Sequence, residues 1–117
     1  MDEILNELNE RIGIKGSLVV TEDGITITSA FRVPSDEERV AALAHALISA
    51  SKTALLRCGL KGFARCELTA DYGKVVMLDL GVAFLVVVTD RKVDFSSAIV
   101  DIQSAAKRIR RLGTIRV

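Results

Sequence analysis

The stretch from Asp36 to Cys58, entered through Val33-Pro34-Ser35 and left through Gly59, constrains this chain more than any other. Pro34 disfavours a helical Val33, and Ser35 or Asp36 can cap a helix that follows. Asp36, Glu37 and Glu38 supply a negative first turn, Lys52 and Arg57 a positive end, and Gly59 a left-handed terminator. At 1.5 Å per residue the helix is about 35 Å long, enough to cross a small domain. Val40, Leu43, Leu47 and Leu55 recur at helical spacing and are expected to face the core. A second stripe, made of Ala42, Ala46, Ser49, Ala50 and Thr53, carries only small side chains. Alanine is the best helix former, so these can be fillers. However, a helix lying on a sheet normally exposes charge opposite its buried stripe, and between Val40 and Ala50 the only ionisable residue is His45. A second buried face is therefore expected, and pairing with a twin helix about a twofold axis covers it most simply.

The flanking segments supply a sheet. Asp2 to Arg11 is an amphipathic helix with Ile4, Leu5, Leu8 and Ile12 apolar and acids near its start, broken by Gly13 and Gly16. Ser17 to Thr21 and Ile25 to Ala30 are strands joined at Glu22-Asp23-Gly24. Ile25 and Ile27 share a face opposite Thr26 and Thr28, as on an edge strand with one wetter side. Phe63 to Ala70, Lys74 to Leu80 and Ala83 to Thr89 form a meander through the turns Asp71-Tyr72-Gly73 and Leu80-Gly81-Val82. The run from Ala83 to Val88 has no polar residue, so it needs cover on both faces and belongs mid-sheet. A last helix opens at Asp94 or Ser96 and carries Phe95, Ile99, Ile102, Ala106, Ile109 and Leu112 as one stripe. The expected class is α/β (α+β). Its five-stranded antiparallel sheet carries the long central helix on one face and the N- and C-terminal helices on the other, in the order α-β-β-α-β-β-β-α, and residues 1–117 form a single domain.

Several functions are excluded or unsupported. A net charge of +1 and 4 % aromatics with no Trp speak against gripping nucleic acid by bulk charge or stacking. No apolar run suggests a membrane-spanning helix, and Met1-Asp2-Glu3 lacks the basic start of a signal peptide, so a cytoplasmic protein without membrane insertion is expected. Cys58 and Cys66 have no metal or redox spacing and read as buried reduced thiols, and neither a metal nor a cofactor is expected. Lys15-Gly16-Ser17 lacks the order and first glycine of a phosphate loop, and His45 has no nucleophile elbow to serve, so it reads as a surface or interface histidine. Asp71 and Asp79 fit turn chemistry. No catalytic constellation emerges, and the chain is expected not to be an enzyme. Lys107, Arg108, Arg110, Arg111 and Arg116 gather five of the sixteen basic residues in the last eleven positions, either as a solvated helix end or as a docking patch for an acidic partner.

The stretch Ile14-Lys15-Gly16-Ser17-Leu18-Val19-Val20-Thr21-Glu22-Asp23-Gly24-Ile25-Thr26-Ile27-Thr28-Ser29 resembles the roadblock domain in its glycine, hydrophobic strand, Asp-x-Gly turn and strand ending in Ser. The alanine-rich long helix and the Leu80-Gly81 turn before an apolar strand add to the likeness, which covers nearly the whole chain. That family is shared by dynein light chains of the roadblock type and by MglB-like regulators of Ras-like GTPases. The resemblance implies a homodimer, or a heterodimer with a related domain, whose long helices pack side by side and whose third strands pair. It places Ala42, Ala46, Ser49, Ala50 and Thr53 at the interface with Phe63, Arg65, Glu67 and Thr69 of the third strand. It also implies a non-enzymatic regulator or adaptor that binds a small Ras-like GTPase and modulates its GTP hydrolysis or nucleotide state. The chain lacks the extra tail of some bacterial regulators, which makes direct activation the less expected mode. The alternative is a structural dimerisation scaffold, a light-chain-like subunit of a larger assembly. Sensing of a small molecule is a weaker third reading, because few polar groups converge. Along the outer edges of the long helix, Glu38, Arg39, His45 and Lys52 are the candidate partner contacts.

Overall fold

A computed structural model describes residues 1–115, with side chains through Leu112. Its elements are α1 (Asp2–Asn9), β1 (Ile14–Val20), β2 (Thr26–Phe31), α2 (Pro34–Arg57), β3 (Arg65–Ala70), β4 (Gly73–Asp79), β5 (Phe84–Thr89) and α3 (Phe95–Ile115). The strands form one antiparallel sheet in the order β2-β1-β5-β4-β3. The all-apolar strand β5 is its middle member, as two-sided cover requires. Leu85 and Val87 enter one core with Val19, Val76 and Leu78 of the neighbouring strands. Phe84 and Val86 enter the other, with Leu18, Val20 and Met77. Side chains two apart on a strand share a face, so one strand serves two cores.

The first core is closed by α1 and α3. Ile4, Leu5 and Leu8 meet Ala98, Ile102, Ala105, Ala106 and Ile109 over the sheet. Two ion pairs, Arg108 of α3 to Glu7 of α1 and Asp101 of α3 to Arg11 just beyond α1, fasten the outer seam. The amide of Asn9 donates to the carbonyl of Ala30 at 2.6 Å, and its Oδ1 accepts from the buried Ser17 hydroxyl at 2.9 Å. Lys15-Gly16-Ser17 is thus strand, with the serine committed to packing. Three expectations shift on this side. Helix α1 ends at Asn9, leaving Ile12 80 % exposed, and Leu112 is exposed at the far end of α3. Ile25 and Ile27 are also exposed. β2 is indeed an edge strand, but a bulge opposite Val20 shifts its register, and the Thr28 hydroxyl, not an isoleucine, reaches α1 through Asp2.

The second core has α2 alone for cover. The helix starts at Pro34, its fixed φ suiting the first turn, with Val33 extended ahead of it; neither Ser35 nor Asp36 caps it. At the other end Gly59, at φ +76°, donates to the carbonyl of Leu56, while Leu60 donates to Leu55. These are the two hydrogen bonds of a Schellman motif, which the left-handed glycine makes possible. The buried side chains of α2 are Ala41, Ala44 and Ile48, flanked by Val40 and Leu47. Leu43, expected inward, is exposed, and Leu55 is half-buried outside the packed cluster. Apolar residues surround this helix, so spacing alone does not fix its phase. The sheet meets neither expected stripe as a whole but Ala41, Ala44 and Ile48, with Val40 and Leu47 at the flank.

Candidate protein-interaction surface

On the α2 layer the chain leaves apolar surface uncovered. Helix α2 lies nearest β1 and β2. Over the β4–β3 half of that face Met77 is buried while Val75 and Cys66 are only half-buried; Phe63 stacks at a tilt on Phe84 with ring centroids 5.6 Å apart. Leu68 on β3 is exposed, as are Leu56 and Leu60 at the end of α2 and beyond it. Ala42, Ala46, Ser49, Ala50 and Thr53 are all exposed and line the outer side of α2. β3 is the sheet's second edge, with unpaired backbone groups along its outer side.

Register divides the third strand between the two layers. Directly opposed residues of an antiparallel pair share a face. Arg65 opposes Leu78, Glu67 opposes Val76 and Thr69 opposes Lys74, which puts all three on the α1–α3 side. Cys66 and Leu68 oppose Met77 and Val75 on the α2 side. The structure therefore does not bring the side chains of Arg65, Glu67 and Thr69 together with the small stripe of α2. Cys66, Leu68, Leu56 and Leu60 share that side instead. Alternation along β3 already separates the odd from the even positions. Only the register against β4 says which set looks toward α2.

The four candidate contacts are also unequal. Glu38 and His45 line one groove with Asp23, Gly24 and Ala42, between the β1–β2 turn and the first half of α2. His45 Nδ1 lies 3.1 Å from the carbonyl oxygen of Glu22. Gly24, at φ +92°, brings the turn so close that a Cβ there would stand 3.1 Å from the His45 Cβ. Lys52 is drawn inward: it pairs with Glu22 and lies 5.5 Å from the centre of the Phe84 ring. Arg39 is outside the groove, 3.9 Å from Asp36 one turn earlier. Glu22, read from sequence only as part of a turn, thus holds both His45 and Lys52. Nothing in the order of residues signalled that, because those contacts span 23 and 30 positions.

Among the described residues no three His, Cys, Asp or Glu side chains gather as a metal site, and no helix is long and apolar enough to cross a membrane. Cys58 is exposed and Cys66 half-buried, both as free thiols, which corrects the expectation that both are buried; Cys58 sits at the C-cap of α2, beyond the core. Asp79 accepts from the Gly81 amide at 2.7 Å, the turn role expected of it. Of the basic cluster, Arg108 is spent on α1, and Arg116 lies outside the described residues.

The Roadblock/LC7 domain model matches residues 1–89. The chain belongs to the Roadblock/LC7 domain family. It is 36% identical over 110 residues to the uncharacterized protein MJ0714 of Methanocaldococcus jannaschii, covering 94% of this chain and 93% of that one. A Roadblock/LC7 domain from Streptomyces avermitilis superposes with a TM-score of 0.87 at 20% identity, over 97% of this chain and 98% of the other. Myxococcus xanthus MglB gives 0.87 at 18% identity, over 97% and 94%. MglB in a tetrameric arrangement gives 0.86 at 18%, over 98% and 88%. The roadblock fold, with its element order and five-stranded antiparallel sheet, is thus the one foreseen from the sequence.

Proposed function

We propose that two copies of this roadblock domain associate through their α2 layers, and that the dimer is a non-enzymatic regulator or adaptor that binds a small Ras-like GTPase and modulates its nucleotide state. The observation that carries the proposal is the uncovered apolar shelf. It is bounded by the exposed stripe Ala42, Ala46, Ser49, Ala50 and Thr53 and by the unpaired β3 edge. Small side chains let a twin helix approach closely, and a twofold axis lets each α2 cover the other protomer's shelf while the β3 edges pair. Leu68, Leu56 and Leu60 then join the interface, and Arg65, Glu67 and Thr69 contribute backbone. Fold kinship with MglB in a tetrameric arrangement supports assembly. The GTPase reading is supported by the resemblance to MglB-like regulators. The groove holding Glu38 and His45, which Ala42 of the stripe also lines, is the proposed point of contact.

The test is co-purification with a small Ras-like GTPase encoded in the same genome, loaded with GTP or GDP, followed by hydrolysis rates with and without the protein. Binding that depends on the nucleotide, or an altered rate, is expected. Neither binding nor a rate change rejects the regulator. Tight binding to a non-GTPase subunit, indifferent to nucleotide, selects the scaffold alternative.

A further inference from the structure

On the other layer, α3 has a side that the α1–α3 core does not use. Val100, Ser104, Lys107 and Arg110 follow one another at helical spacing along it, facing Arg65 and Leu78 at the start of β3 and the end of β4. Between them runs a groove of about 750 Å3, within the size range of ligand sites. Leu78 is buried at its floor, and Val100 is 62 % exposed at one end. Two acids of this layer are withdrawn from it. Asp101 and Glu7 are held by Arg11 and Arg108 at the α1–α3 seam. Glu67 is the acid that borders the groove, where it shares Arg65 at 3.0 Å and Lys74 at 4.0 Å. Arg110 also engages a neighbour within the chain. Even so, among the described residues the lining contains Arg65, Lys107 and Arg110 and no carboxylate.

We propose that this groove is a docking site for an acidic peptide segment of a partner protein, carrying one apolar anchor beside two or more carboxylates. Lys107 and Arg110 are one helical turn apart, so a carboxylate docked beside them meets Lys107 directly and Arg110 alongside the neighbour that it already holds. Val100 lies seven residues before Lys107, about 10 Å along the axis, a distance that an extended peptide spans in about three residues. The recognised pattern is therefore an apolar residue, two spacers and a pair of acids. An apolar floor distinguishes this site from a phosphate or lipid-headgroup site, which has no use for Leu78 and Val100. A concave shape and a net charge of +1 also fit a peptide better than a membrane surface or nucleic acid. The proposal rests on neither the α2 packing nor the GTPase reading, although Arg65 stands on β3, so the groove borders the edge that pairs in the proposed dimer.

Fluorescein-labelled peptides test it: Leu or Ile, two Ser or Gly, then two Glu, with flanks varied across a panel and binding followed by anisotropy. Members of the panel are expected to bind the wild type. Replacing their Glu by Gln, or using Lys107→Glu protein, should weaken binding at least tenfold; Lys107→Gln separates loss of charge from its reversal. Val100→Asp should weaken it as strongly, and amide NMR shifts should centre on α3 and the start of β3. Circular dichroism checks that each variant is folded. Failure of every acidic peptide overturns the proposal, as does equal binding of the Gln peptides or shifts centred on α2. Binding of pyrophosphate or phosphatidylserine vesicles that depends on Lys107 but is indifferent to Val100 would also overturn it, by making the groove a simple anion site.

Discussion

The two faces of the sheet present the same kind of apolar side chain and are finished in different ways. On one, α1 and α3 lie side by side, close the core and join their outer edges by ion pairs. On the other, a single helix with alanines at its contact covers β1 and β2 and leaves β3, with Leu68, open. Among the described residues one face is closed by two helices, whereas the other leaves Leu68 of β3 exposed beside a single helix. Incompleteness of this kind, next to an unpaired strand edge, is what motivates the proposed assembly through this face.

The closed face should respond most strongly to truncation. Leu85 is fully buried among strands and helices, and Leu85→Ala should cost about 3 kcal/mol by chemical denaturation. A loss under about 1 kcal/mol would mean that this core is less complete than described. On the open face Ala46→Arg places a charge in the proposed interface. It should weaken the dimer by roughly 100-fold, about 2.7 kcal/mol, in sedimentation equilibrium while leaving the monomer's stability within about 0.5 kcal/mol. A dimer that persists would break the comparison, and so would a monomeric wild type at micromolar concentration.

Asn9→Ala probes how α1 is fastened over the hairpin. It strips a partner from the buried Ser17 hydroxyl and from the Ala30 carbonyl, and should cost between about 1 and 3 kcal/mol. Asn9→Ser should recover part of the loss if hydrogen bonding is the cause. The smallest effect is expected at the α1–α3 seam. Arg108→Ala removes a half-exposed ion pair and should cost under about 0.5 kcal/mol, less at high salt. A larger, salt-insensitive loss would show that the seam is part of the core and not its rim.

Much of this architecture was legible in the chain. Strands were announced by β-branched runs and turn residues, the middle position of β5 by its lack of any polar residue, and the end of α2 by Gly59. The expected pairing of terminal helices on one face followed from that need for two-sided cover. What escaped were phases and distances. Leu43 and Leu55 looked inward because a helix apolar all round has more than one plausible buried stripe. Ile12, Ile25 and Ile27 looked buried because composition does not record where an element stops or where an edge bulges. In the candidate surface, the small stripe of α2 was visible in sequence, and the structure places it in the open. Glu22, which holds His45 and Lys52, was not visible, nor was the placement of Leu68 beside α2 and of Arg65 across the sheet.

By itself, then, the sequence determined the order and kind of the elements, the two-sided nature of the central strand and the surplus of apolar surface on one helix. All are set by local propensity and by periodicities of about two and 3.6 residues that neighbours along the chain express. Only the tertiary structure decided which stripe of α2 meets the sheet, which side of β3 each residue occupies and where the basic end of α3 finds an apolar floor. Those depend on register and close approach between segments far apart in the chain. A shift of one residue there exchanges the two faces while leaving every local pattern unchanged.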